Sequence, residues 1–348
     1  MSSRTSDIIA RLEASGMMTS KGYTHEQLLD EMKGFERAAL GEVFREGYSD
    51  SLRTYDLITH FRDMASQYGL DDTEVFGRLV WALQKLSGEI GALVNGARGE
   101  FYMARALRWL TCPNEVLLNV ELEFEGERCE YDAIVISPSG INIVESKFCN
   151  HDAEIDEDGF FHDRNRTPDR CYNVGEKIRA KEHVLFNVLE NASPGIIPRS
   201  CIRSVFFVAN NRVKLDNRFG VVDVCNAGQI CPLIESRDGE VLCQGARGSI
   251  AASIEWAAES FLYEPDIDFD QLRSDIADFI VMVERASARS EANEEKAVEA
   301  VRLEAFVVDP AQTFPARLRR MRDIARIAAP AAVAAAMCAL VCFAKRGM

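Results

Sequence analysis

Residues 130–147 read EYDAIVISPSGINIVESK, and the reading of this stretch decides the architecture around it. Two short apolar runs, 131–136 and 141–147, are joined by Pro138-Ser139-Gly140, a connection of the length and composition that antiparallel strands need. Asp132 stands at the start of the first strand, and Glu145-Ser146-Lys147 ends the second. Residues two apart on a strand share a face, so Glu145 and Lys147 point the same way. Taken singly, Asp132 reads as a turn residue and Glu145 with Lys147 as a surface pair. Taken jointly, they bring two carboxylates and an ammonium together at one end of a hairpin.

The surrounding chain sets limits on that site. Its 348 residues exceed one typical domain and can bury a sizeable core. A net charge of −15 excludes diffuse attraction to nucleic acid, so any phosphate binding must come from local Lys and Arg. The ten cysteines are scattered without a C-x-x-C pair, which excludes a zinc ribbon and suggests reduced thiols in a cytosolic compartment. The N-terminal MSSRTSDIIARLEASG has no apolar core of signal-peptide length. The five histidines form no H-E-x-x-H spacing, and no Gly-rich phosphate loop followed by Lys-Ser/Thr is present.

Residues 1–23 are polar and small and are expected to be loosely ordered. Thr24-His25-Glu26-Gln27 reads as a capping box. Helices follow to about residue 94, with breaks at Gly47-Tyr48-Ser49 and Gly69. Asp71-Asp72-Thr73 caps the last of them, and Val75, Leu79, Leu83 and Leu86 form its apolar stripe, thickened by Phe76 and Trp81. The segment 96–100, Gly-Ala-Arg-Gly-Glu, is expected to break this pattern and open a new helix. That helix would bury Phe101, Ala104, Leu107 and Leu110 and hold Glu100 in its first turn, where an acid suits the helix dipole. Leu118, Val120, Leu122 and Phe124 then alternate with polar residues as in a half-buried strand, and Gly126-Glu127 turns the chain.

Beyond Lys147, residues 149–161 read as an acidic loop with a turn at Asp158-Gly159. Helix is expected over 173–189, buried strand over 205–209 and a short strand over 221–224. The chain is helical again over 249–302, its last part heavily charged. Trp81, Trp109 and Trp256 are expected in cores. The domain reading is a helical region 1–94, a central domain 95–248, a helical and partly charged region 249–316, and a basic segment with a membrane anchor, 317–348. The anchor is 327–344, eighteen residues without a charge, spanning about 27 Å as a helix, enough for a thin hydrocarbon core; the other reading of this run, half of it alanine, is a buried helix. Arg317, Arg319, Arg320, Arg322 and Arg326 precede it and outnumber Lys345-Arg346 beyond it, which keeps the main body cytoplasmic.

Phosphodiester cleavage needs a hydroxide nucleophile and relief of charge on phosphorus, and Mg2+ held by carboxylates and water supplies both. Asp132 and Glu145 are the candidate metal-binding carboxylates, with a strand carbonyl near Ser146 as an extra ligand. Lys147 would position the nucleophile and neutralise developing charge. Glu100 would bind the metal through water or hold a second ion.

These residues resemble the nuclease-related domain, NERD, of the PD-(D/E)xK nuclease superfamily. The matching features are Gly96-x-x-Gly99-Glu100 at a helix start, Asp132 leading a strand and Glu145-x-Lys147 ending the next, over roughly residues 94–210. The resemblance implies an α/β, restriction-endonuclease-like core, a mixed β-sheet flanked by helices, here with helical extensions at both ends and a C-terminal transmembrane helix. It implies hydrolysis of DNA or RNA with a divalent metal, Mg2+ or Mn2+, and catalytic roles for Glu100, Asp132, Glu145 and Lys147. The family's helix after the core usually reads Asn-Pro-x-x-Gln. Here the stretch is Asn173-Val174-Gly175-Glu176-Lys177, so Glu176 or Lys177 takes the place of Gln.

The function expected is a membrane-tethered, single-pass, cytoplasmic nuclease. DNA is the favoured substrate, and a role in antiviral defence fits. Nucleic acid would lie along Arg164, Arg166, Arg170, Lys177, Arg179 and Lys181, and the helical flanks would serve a protein partner or self-association. The alternative is a non-catalytic module of the same fold that binds nucleic acid or protein at the membrane.

Overall fold

The structure is a computed structural model and describes residues 3–13, 22–163, 172–195, 197–236 and 241–306. The anchor and its arginines, 317–348, and Arg164, Arg166 and Arg170 lie outside the described residues. No helix among the described residues is long and apolar enough to cross a membrane. The fold is mixed α/β, with two sheets flanked by helices.

The chain divides into two compact units. One is helical, drawn from 3–13, 35–84 and 267–306. It contains α1 (Ser3–Glu13), the later part of α2 (His25–Phe44), α3 (Thr54–Tyr68), the start of α4 (Glu74–Leu107) and α8 (Phe269–Phe306). Residues 3–13, expected to be loose, are helical because Ile8 and Leu12 are one turn apart and both fully buried. Phe35 meets Phe269 and Phe61 meets Phe279 edge to face, with centroids 5.0 and 5.4 Å apart. Buried Glu36 accepts the Thr54 N–H at 2.7 Å, and Arg78 reaches Asp275 at 2.8 Å, so the buried acids are partnered.

The second unit, residues 22–34 and 85–266, holds both sheets. Its capping box forms as the sequence implies, Thr24 N–H to Gln27 Oε1 at 3.1 Å and Gln27 N–H to Thr24 Oγ1 at 3.3 Å. The main sheet has the order β1-β2-β3-β7-β9, from β1 (Glu115–Phe124), β2 (Glu127–Ser137), β3 (Gly140–Lys147), β7 (Ile202–Val208) and β9 (Asp223–Asn226). β1, β2 and β3 run antiparallel, while β3, β7 and β9 run parallel. Glu125 and Gly126 make the first hairpin turn with φ of 51° and 87°, both positive as a two-residue primed turn requires. Pro138 and Ser139 make the second, and Gly140 is already paired with Ser137.

Helices cover both faces of this sheet. On one, α5 (Val174–Ala192) and α7 (Gln244–Ala257) pack Val184, Leu185, Leu189, Ile250 and Ile254 over Ile134, Ile136, Ile141 and Ile143. On the other, the end of α4 and α6 (Ile230–Glu235) pack Met103, Ala106, Leu107, Ile230 and Ile234 over Ala133, Val135, Val144, Val205 and Phe207. The segment expected as an acidic loop instead contributes strands to a second sheet, β6-β5-β4-β8. Its strands are β4 (Ala153–Ile155), β5 (Phe160–Asp163), β6 (Tyr172–Asn173) and β8 (Leu215–Asn217), with Gly159 turning at φ 87°. Such short strands show no period in sequence; buried Ala153, Ile155 and Phe161 against Phe206 and Val208 hold them.

Two expectations near residue 100 change. The segment 96–100 does not break the helix, because α4 runs unbroken from Glu74 to Leu107. Glu100 therefore lies near the C-terminal end of that helix, where the dipole does not favour an acid. Gly99 answers a packing need: a Cβ there would lie 3.0 Å from Ser146 Oγ and 3.4 Å from the Phe148 N, so a side chain at this position presses on the end of β3. The buried positions of this turn are Met103, Ala106 and Leu107, whereas Phe101 is 62% exposed. Gly99→Val should therefore cost about 1–3 kcal/mol of stability through overpacking. Gly96→Ala, with only Glu100 Oε1 at 3.8 Å, should be neutral or stabilising by up to about 1 kcal/mol. Urea midpoints of the two variants check this, and equal midpoints would remove the packing role of Gly99.

Candidate active site

Register places the two acids together. Ala133 opposes Val144; one residue further along each strand, Asp132 lies within the electrostatic reach of Glu145 and accepts the N–H of the next residue, Ser146. The strands carry Asp132 there through a break in alternation. Ile134 and Ile136 pack toward α5, and Ala133 and Val135 toward α4, so strict alternation would send Tyr131 toward α4. Tyr131 packs toward α5 instead, as do both Leu117 and Val120 on β1. The break falls at Asn119, between the pairs Leu118–Ala133 and Val120–Tyr131, with φ of 51°. Asparagine tolerates this left-handed region better than most residues. The same break leaves Leu118 46% exposed, although simple alternation grouped it with Val120 and Leu122.

Asp132 is half-buried, and its Oδ2 accepts the Ser146 N–H at 2.6 Å, which fixes the carboxylate across the strand pair. Burial and then the neighbouring Glu145 push its pKa up to about 6, opposed by Lys181 and the Ser146 N–H. The Lys147 carbonyl, next to the proposed extra ligand, accepts the Ala209 N–H at 2.9 Å.

The cation that meets this acid pair comes from α5. Lys181 Nζ donates to Glu145 Oε2 as an ion pair, with side chains only 9% and 17% exposed. Lys181 was expected on a phosphate-facing surface; the structure places it inside. It occupies the apolar stripe Val174, Ile178, Lys181, Leu185, Val188 of α5, and all five are buried. A lysine in a core position of a helix was the signal available in sequence. Burial lowers its pKa, Glu145 and Asp132 raise it more, and the net shift is upward. The Tyr131 hydroxyl donates to the Lys181 carbonyl at 2.8 Å, tying β2 to the turn of α5 that presents the ammonium. Glu176 and Lys177, the positions matched to the family's Gln, are both exposed.

Lys147 is held against aromatic faces, its Nζ 4.8 Å from the Tyr172 ring centre and 5.8 Å from that of Phe161. Lys177 lies 5.2 Å from the Tyr172 ring. The Tyr172 phenol is pushed well above its ordinary value by burial, then by Glu145, so it stays protonated. Tyr172 and Phe161 belong to the second sheet, and nothing in their local sequence announced them as partners of Lys147. Glu100 is also raised, by burial first, with Glu130 and Glu145 adding to it and His25 and an Asn119 hydrogen bond opposing. It thus sits within the field of Glu145. Among the described residues, no three His, Cys, Asp or Glu side chains converge closely enough to form a metal cluster, so the site offers a carboxylate pair with Glu100 to one side. Arg179 is exposed.

Removing Lys181 would leave Glu145 and Asp132 as an uncompensated pair. Lys181→Met should destabilise the protein by about 3 kcal/mol, and adding Glu145→Gln should recover most of it. Chemical denaturation of both variants checks this; an unshifted midpoint for Lys181→Met would show that the ion pair does not hold the site.

Residues 95–208 match the family model of the nuclease-related domain, NERD, and the match spans the main-sheet strands β1 to β3 and β7 and all the residues above from Glu100 to Lys181. Searches of curated proteins and of solved structures return no match to the chain.

Proposed function

We propose that the nuclease-related domain at residues 95–208 is catalytic, a divalent-metal-dependent hydrolase of nucleic-acid phosphodiesters on a restriction-endonuclease-like core. The observation that carries this reading is the juxtaposition of Asp132 and Glu145 on adjacent strands, with Lys181 paired to Glu145. One or two carboxylates completed by water are what Mg2+ takes in phosphate chemistry, so the donor set fits; Mn2+ is served by the same oxygens. Asp132 and Glu145 would hold the ion, and Glu100 would act through water. Such an ion supplies hydroxide near neutral pH and draws charge from the phosphoryl oxygens.

The chain's own residues prepare the site. The Ser146 N–H orients Asp132. Lys181 holds Glu145 in place and offsets the mutual repulsion of the two acids. Lys147, braced on Tyr172 and Phe161, brings a positive charge on the strand face of Glu145 to stabilise the developing oxyanion. Lys177 and Arg179 add exposed positive charge for the backbone of the substrate.

One observation favours the second reading, a non-catalytic binding module: the Lys181 ammonium already satisfies Glu145. Plasmid, linear and single-stranded DNA and RNA, incubated with the full chain and Mg2+ or Mn2+, separate the two. We expect cleavage that chelation abolishes and that Asp132→Ala and Lys147→Ala reduce at least about 100-fold. Cleavage that persists in both variants removes these residues from the mechanism, and no cleavage with any substrate selects the binding module.

In the same reading, residues 327–344 tether the protein to a membrane with the nuclease on the cytoplasmic side, confining a hazardous activity and setting it against entering foreign DNA. The charge-free run and the arginines before it support this. The full chain should sediment with membranes, and a chain lacking 325–348 should not. Equal distributions would sink the tether.

A further inference from the structure

The exposed stripe of α4 carries a pattern the site does not use. Gly99, Met103, Ala106 and Leu107 are buried against the sheet. Arg98, Phe101, Tyr102 and Arg105, at the i, i+3, i+4, i+7 spacing of one helix stripe, are all exposed. Phe101 is 62% and Tyr102 39% exposed, and Trp109, just past the helix, is 77% exposed. Scattered apolar residues on a surface need no explanation, but Phe101 and Tyr102 belong to a chain of ring contacts. Phe101 meets Tyr102 edge to face at 5.6 Å, and Tyr102 lies nearly parallel to Phe148, 15° between planes at 6.2 Å. The Arg98 guanidinium sits 5.0 Å from the Phe148 ring centre. Phe148 follows Lys147 directly and packs on the α4 side of the sheet, so the cluster lies at the C-terminal end of the proposed catalytic strand, on the face opposite Lys181.

We propose that this Arg-flanked ring cluster is a stacking platform for the bases of single-stranded nucleic acid, delivering an unpaired strand to Asp132 and Glu145. The inference rests on the nuclease reading above and names its substrate class. Aromatic faces interleaved with arginine are what sequence-tolerant single-strand binding uses, because every base has a π-face. Duplex DNA keeps those faces stacked inside and is held through many phosphate contacts, which a chain of net charge −15 is poorly supplied to make. Guanidinium groups at positions 98 and 105 place positive charge beside the rings, where a strand's phosphates would run.

The test is fluorescence anisotropy with the full chain in EDTA, where metal-dependent cleavage cannot occur. The probes are a labelled thymidine strand of about 20 nucleotides, enough to cover one site, an abasic strand of the same length, and a duplex. Wild type should bind the thymidine strand about 10-fold more tightly than the other two, and Phe101→Ala with Tyr102→Ala should remove that preference. Both side chains are exposed, so the variant keeps the core intact. Equal affinity for abasic and thymidine strands, an unchanged preference in the variant, or no binding of any probe would each overturn the platform, the last pointing to a protein partner. The two readings fail separately. Metal-dependent cleavage without a ring effect removes the platform alone, and a ring-dependent strand preference without cleavage removes the nuclease alone.

Discussion

Two carboxylates on adjacent strands repel one another, and the architecture of the sheet-bearing unit answers that repulsion with one buried ammonium. Lys181 must reach Glu145 from α5, so α5 has to lie close over β2 and β3. The apolar contacts of Val184, Leu185 and Leu189 bring the helix there, and the Tyr131 hydroxyl pins the turn from which Lys181 projects. A buried ion pair adds little net stability, but losing one partner is expensive, so the pair acts as a constraint on geometry. The acids, the helix and the hairpin are held as one arrangement.

The hairpin itself was legible because its signals are local. A turn of Pro138 and Ser139, apolar runs on each side and charges at the open end need no knowledge of the rest of the chain. The register that brings Asp132 and Glu145 to the same end of the hairpin follows from the turn length. In the structure β7 lies beside and parallel to β3, joined to it through α5, the kind of crossover that parallel strands require.

What stayed hidden depends on contacts between distant segments. Gly96 and Gly99 look like helix breakers, yet Gly99 is small because Ser146 and Phe148 approach it, forty-odd residues away. The left-handed Asn119 that shifts the phase of two strands has no marker that periodicity can read. Lys181 reads as one more basic residue among Lys177 and Arg179 unless it is set on the helix stripe that the core selects. Trp81, Trp109 and Trp256 were expected in cores, and the structure leaves them 62%, 77% and 88% exposed. A large ring favours burial only where a cavity of its shape exists, and the cores of both units are filled by other side chains.

One helix bears both Gly99 with Glu100 at the site and Phe101 with Tyr102 in the exposed ring cluster. Each added residue turns an α-helix by about 100°. A single insertion or deletion between Gly99 and Met103 would swing an arginine or a ring toward Val135 and throw a core residue into water. This segment can therefore vary by substitution but not in length, whereas the hairpin tip at Glu125-Gly126 is free to lengthen. Indels in diverged copies of this domain should be confined accordingly, sparing a few residues of helix and collecting in the turns.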